Sequence, residues 1–121
     1  MGDLFGALIE AVPHIPFRAH FHNTRNTGLA NVWAAVEAGV TRIDTSVAGM
    51  GGCPFAPGAA GNVPTEDVLY MLHRAGYTTG IELEQVNNTA HWLTEIIERP
   101  LPGMVSKAGG FPKLVTAEAV A

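Results

Sequence analysis

One cysteine, Cys53, is all this 121-residue chain has, so no disulfide can close within it, and a lone thiol suits a reducing compartment. Basic residues are scarce as well. Lysine and arginine together number 7 against 11 acidic residues, and the net charge is −4. Nothing in that balance can neutralise a phosphate backbone, which argues against nucleic acid as a partner. No apolar run approaches the roughly 20 residues that a helical membrane span needs. Asp3 and Glu10 bracket the first apolar residues and no basic segment precedes them, so the start does not read as a secretory signal. Gly6 stands where a myristoylation motif has Ser or Thr. These absences leave a chain expected in the cytoplasm, with no membrane partner. What is present fits a folded α/β protein: 47% hydrophobic and 15% charged residues, with no internal repeat and no low-complexity segment.

Apolar spacing orders the chain. Leu4, Leu8 and Val12 predict a helix over 3–11, stopped by Pro13 and Pro16. Residues 17–22 alternate. Phe17, Ala19 and Phe21 share one parity and Arg18, His20 and His22 the other, which is the period of a strand. Leu29, Val32, Trp33 and Val36 then recur at helical spacing, with Asn26 or Thr27 available as cap and Gly39 as the stop. A second alternating stretch covers 41–47, with Ile43, Thr45 and Val47 on one side and Arg42, Asp44 and Ser46 on the other. A loop over 48–61 follows, with five glycines and two prolines. Pro64 opens a further helix with Glu66 and Asp67 in its first turn, where acidic side chains suit the dipole. Val68, Met71 and Leu72 give its apolar face and Gly76 its end. A last helix is predicted over 84–98, with Val86, Ala90, Leu93 and Ile97 on one side, ahead of an irregular tail. Strand, helix, strand at this spacing is a right-handed unit of a parallel sheet. Two parallel strands are marginal alone, so the pattern asks for further strands from a longer parent chain, a partner chain or self-association.

Three places could carry chemistry. His20 and His22, two apart on a strand, point the same way roughly 6.6–7 Å apart along the chain. They stand at its C-terminal end, where parallel α/β folds place their sites. They read either as a metal-ligand pair or as sheet histidines satisfied by neighbours. Cys53 follows Gly49, Gly51 and Gly52, and reads either as a reactive thiol or as an inert loop cysteine. Asn62 reads either as a helix cap or as an oxygen ligand for a hard cation. His14, His73 and His91 have no partner at ligand spacing and read as surface or helix residues. Trp33 and Trp92 read as core or interface.

The combination His20-Phe21-His22, Ser46-Val47-Ala48-Gly49-Met50-Gly51-Gly52-Cys53-Pro54, Gly61-Asn62 and Thr65-Glu66-Asp67 resembles the 3-hydroxy-3-methylglutaryl-CoA lyase family. Leu101-Pro102-Gly103 and Ser106-Lys107 look like the tail of its bacterial members. The resemblance implies that residues 1–121 form the C-terminal part of a TIM (β/α)8 barrel, its two strands standing for the seventh and eighth. It implies His20, His22 and Asn62 as ligands of a divalent cation, Mg²⁺ or Mn²⁺, and Cys53 as the catalytic cysteine. It implies an acyl-CoA substrate and retro-Claisen cleavage to acetoacetate and acetyl-CoA. A fourth ligand, an Asp, and a neighbouring Arg belong to a first strand absent from this sequence. Met1 falls within what would be the preceding helix. The sequence thus reads as a piece of a longer enzyme, inactive alone, which completes its sheet with the missing strands or by homo-oligomerisation. Asn23-Thr24-Arg25-Asn26 departs from the Asp-Thr-Tyr-Gly of animal members and Met50 from their Leu, which leaves room for another 3-hydroxyacyl-CoA such as citramalyl-CoA, or for an inactive self-associating fragment.

Overall fold

A computed structural model describes residues 1–52, 58 and 61–111. The chain begins with helix α1 (Gly2–Ala11), which places Asp3 in its first turn, near the positive end of the dipole. Its buried side chain is Phe5, with Ile9 half-buried beside it, whereas Leu4 and Leu8 face outward. The helix is predicted from the spacing of Leu4, Leu8 and Val12, yet that stripe is not the one that packs inward. Both stripes are apolar at helical spacing, and Phe5 wins because its ring meets Phe21 edge-on, centroids 6.3 Å apart.

Strand β1 (Arg18–His20) follows, then α2 (Gly28–Glu37) and strand β2 (Arg42–Asp44). β1 and β2 pair in parallel, with Arg18 opposite Arg42, Ala19 opposite Ile43 and His20 opposite Asp44. The βαβ unit is therefore as the alternation predicts, but each strand is shorter than the alternating stretch. The reason lies in where the flanking backbone groups bond. Phe21 gives its carbonyl to Val63 N–H at 3.1 Å, and Ser46 N–H donates to the Val63 carbonyl at 3.1 Å. The segment returning from the glycine-rich loop thus takes over both strand ends. It forms an antiparallel bridge between His22 and Asn62 and a parallel one between Ser46 and Pro64.

Helix α3 (Thr65–Arg74) starts directly after that segment, α4 (Leu83–Ile97) packs beside it, and a short α5 (Val105–Ala108) ends the described chain. A single 3-10 turn at Val47–Gly49 links β2 to the loop. Three apolar clusters hold these parts. Phe5, Ala19, Ala35 and Val40 join α1 to the sheet, and Val32, Val63, Val68 and Leu72 join α2 to α3. Ala48, Ala90 and Leu101 lie under α4. Trp33 is half-buried, stacked edge-on against Tyr77, while Trp92 is 56% exposed and joins none of these clusters among the described residues. The architecture is α/β, two parallel strands with flanking helices. No helix among the described residues is long and apolar enough to cross a membrane.

Candidate metal centre

β1 delivers its histidines as the strand period requires. Arg18 and His20 are exposed while Ala19 between them is buried, so the polar parity faces out of the core. His20 and His22 lie with ring centroids 5.3 Å apart, on one side of the chain. Asp44, directly across the ladder from His20, keeps a carboxylate oxygen 3.6 Å from His20 Nδ1 and accepts a hydrogen bond from Arg18 at 2.8 Å. Asp44 therefore backs the imidazole while its own charge is matched by Arg18. Among the described residues no other ion pair touches this end of the sheet.

Asn62 reaches the same end through backbone pairing. Its bridge to His22 and the bond from Asn23 N–H to the Gly61 carbonyl, 3.2 Å, seat residues 61–62 beside the end of β1. Gly61 fits there because a side chain would collide with the carbonyls of Gly49 and Gly51. Asn62 Nδ2 donates to the Met50 carbonyl at 3.3 Å. Its Oδ1 is buried and accepts from no described group. A buried acceptor left unpaired costs about 1–3 kcal/mol, so this oxygen asks for a partner that the described residues do not supply. The cap role open to Asn62 in the sequence goes unused: α3 begins at Thr65 behind Pro64, with no side-chain cap bond.

The three ligand candidates thus stand together at the C-terminal end of the strands. Among the described residues no group of three or more His, Cys, Asp or Glu could hold a metal ion. The donor set is two imidazoles and an amide oxygen, which suits a hard or borderline divalent cation such as Mn²⁺ or Mg²⁺ and lacks the thiolates of a structural zinc site. Cys53, the fourth candidate, lies outside the described residues.

The loop after β1 is stiffened by its own side chains. Asn23 Oδ1 accepts from Gly28 N–H at 2.9 Å, which caps α2 in place of Asn26 or Thr27. A side chain on Gly28 would strike Val63, Asn23 and the His22 carbonyl. Of the other histidines, His14 is exposed, His73 bonds with Thr79 Oγ1 at 2.8 Å and His91 with the Ser106 carbonyl at 2.6 Å. Sequence reasoning missed the part played by Glu66 and Asp67. Both stand in the first turn of α3, as the sequence predicts, but they are also buried and accept hydrogen bonds from distant backbone. The Thr-Glu-Asp motif was visible, but nothing local indicated its partners at 103–106.

The HMGL-like family model matches residues 1–93. The chain is 41% identical over 110 residues to (R)-citramalyl-CoA lyase of Chloroflexus aurantiacus, covering 90% of this chain and 35% of that protein. It is 52% identical over 84 residues to hydroxymethylglutaryl-CoA lyase of Pseudomonas mevalonii, covering 69% of this chain and 28% of that one. An HMG-CoA lyase from Acenitobacter baumannii, solved in complex with coenzyme A and 3-methylmalate, superposes with a TM-score of 0.87 at 36% identity. That match covers 95% of this chain and 38% of the solved one. The chain spans about a third of the length of the curated relatives it matches. Its two parallel strands and helices are a portion of the TIM-barrel architecture of these enzymes, and the chain belongs to the HMGL-like family.

Proposed function

We propose that this chain carries the metal-holding part of a divalent-cation-dependent acyl-CoA carbon–carbon lyase, acting on 3-hydroxy-3-methylglutaryl-CoA. The observation that supports it best is the orphaned Oδ1 of Asn62, a residue whose backbone pairs with that of His22, whose ring in turn lies beside that of His20. His20, His22 and Asn62 would hold the cation, which when bound supplies Lewis-acid stabilisation of negative charge on substrate oxygens. The reaction removes the proton of the tertiary hydroxyl, breaks the bond between C2 and C3, and leaves C3 as the ketone of acetoacetate. The electron pair stays on C2 as the enolate of acetyl-CoA and must be protonated. Cys53 is the residue proposed to give that proton. Asp44, with a carboxylate oxygen 3.6 Å from His20 Nδ1, would back the ring on that side and leave Nε2 as the nitrogen for the cation.

A second substrate is favoured by one comparison. The Chloroflexus aurantiacus relative acts on citramalyl-CoA, whose cleavage by the same bond-breaking logic gives acetyl-CoA and pyruvate. The loop that differs from animal members, Asn23 to Asn26, follows His22 directly and places Arg25, a cation, at its tip. The isolated chain, with Mg²⁺ or Mn²⁺, is expected to show no appreciable turnover on either substrate, since two strands with open edges enclose no active site. The deciding experiment exchanges the matching segment of the Pseudomonas mevalonii lyase for this chain. A chimera that releases acetyl-CoA and loses that activity on His20→Ala and on Cys53→Ala supports the proposal. A folded chimera without turnover, or one indifferent to both substitutions, refutes it. The product, acetoacetate or pyruvate, tells the two substrates apart.

A further inference from the structure

Glu66 is 0% exposed and forms no ion pair among the described residues. A carboxylate taken out of water without a countercharge is costly unless its hydrogen bonds compensate. Glu66 accepts one from Ala48 N–H at 2.9 Å and one from the Ser106 hydroxyl at 3.1 Å. Gly103 lies so close that any side chain there would overlap Glu66 Oε1. Gly103 N–H in turn donates to the Ala48 carbonyl at 3.0 Å. Asp67 accepts from Met104 N–H at 3.0 Å and Val105 N–H at 2.7 Å. The first turn of α3 therefore clamps Ala48 and the 103–106 segment as one unit.

Ala48 is the residue on which the loop turns. It holds φ 58° and ψ 11°, a left-handed conformation that a side chain disfavours, and Gly49 follows at φ 68°. Both Ala48 backbone groups are bonded by the clamp, its N–H to Glu66 and its carbonyl to Gly103. The turn carries the chain to Met50, whose carbonyl takes the Asn62 Nδ2 bond. That bond decides which end of the amide is Nδ2 and which is the orphaned Oδ1.

We infer that Glu66 is a positioning residue for the metal centre: by fixing Ala48 it sets the Met50 carbonyl, and through that carbonyl it aims the Asn62 amide oxygen. This rests on the reading of Asn62 as a metal ligand. A residue that served stability alone would, when removed, loosen the whole fold, whereas a positioning residue releases Asn62 first.

The test uses the ¹⁵N-labelled 121-residue chain with two readouts, hydrogen exchange of the Asn62 side-chain amide by NMR and Mn²⁺ affinity by electron paramagnetic resonance. Glu66→Ala is expected to speed Asn62 Nδ2 exchange about tenfold and to weaken Mn²⁺ binding about tenfold. The backbone amides of Ala19 and Ile43 should keep their protection. Glu66→Gln, whose carbonyl still accepts from Ala48, should stay within about threefold of the wild type. Gly103→Ala displaces the carboxylate from the other side and should reproduce the Glu66→Ala pattern. Unchanged Asn62 exchange in both Glu66→Ala and Gly103→Ala overturns the inference. So does a loss of protection spread evenly over Ala19, Ile43 and Asn62, unfolding of both variants included. If the wild type itself fails to bind Mn²⁺, the metal reading falls, while the exchange measurement still decides whether Glu66 orders Asn62.

Discussion

His22 and Asn62, one at the end of a strand and the other on the return of a glycine-rich loop, face each other in an antiparallel backbone bridge. The bridge is short, but it joins the two halves of the candidate metal centre. Asn62 Oδ1 is buried and has no partner among the described residues.

Metal should therefore stabilise the fold through that oxygen. With free Mn²⁺ at about a hundred times its dissociation constant, linkage gives about 2.7 kcal/mol, or a rise in melting temperature of roughly 10 °C. Asn62→Leu should remove most of the rise. Asn87→Leu, which removes the other buried oxygen without a described partner, should leave it intact. Thermal denaturation followed by circular dichroism, with and without Mn²⁺, makes the comparison.

His20→Ala should weaken Mn²⁺ binding by about tenfold or more, since losing a ligand is at least as harmful as losing its supporting partner. His20 has a side chain 55% exposed, so the substitution should cost little stability. Titration calorimetry reads the affinity. An unchanged value would mean that any bound metal sits elsewhere.

Two glycines should respond with opposite signs. Gly61→Ala drives a methyl into the Gly49 and Gly51 carbonyls and should destabilise the chain by about 3 kcal/mol. Gly6→Ala, within α1 and with nothing inside 4 Å, should stabilise it by about 0.5–1 kcal/mol. Urea denaturation of the two variants beside the wild type gives both signs in one experiment.

Association should depend on concentration. The sheet has two strands among the described residues, so each has a free edge, and open edges recruit other chains. Leu4, Ile15, Trp92, Ile96 and Met104 add exposed apolar surface. Sedimentation velocity across the micromolar range is expected to show growing assemblies. A stable monomer with a single cooperative unfolding transition would contradict this.

Much of the fold was legible in the sequence because it follows from local periodicity. The alternation at 17–22 places His20 and His22 on one side whatever surrounds them, since residues two apart on a strand must share a face. Gly39 and Pro64 mark helix boundaries for reasons carried by their own backbones. The strand–helix–strand order fixes parallel pairing, and the Ser46 to Pro54 loop carries the family likeness by itself. Tertiary structure decided what depends on a distant partner. Phe5 rather than Leu4 is buried because Phe21 is there to meet it. The strands stop at His20 and Asp44 because Val63 takes the next backbone groups. Asn62 is a bridge and not a cap, and Glu66, in the first turn as expected, is also a buried acceptor, because the groups they meet come from other parts of the chain. Periodicity reports which face of an element a residue occupies. Only the folded chain determines which donor or acceptor waits there, since a hydrogen bond requires two groups within about 3 Å and sequence separation does not limit which two they are.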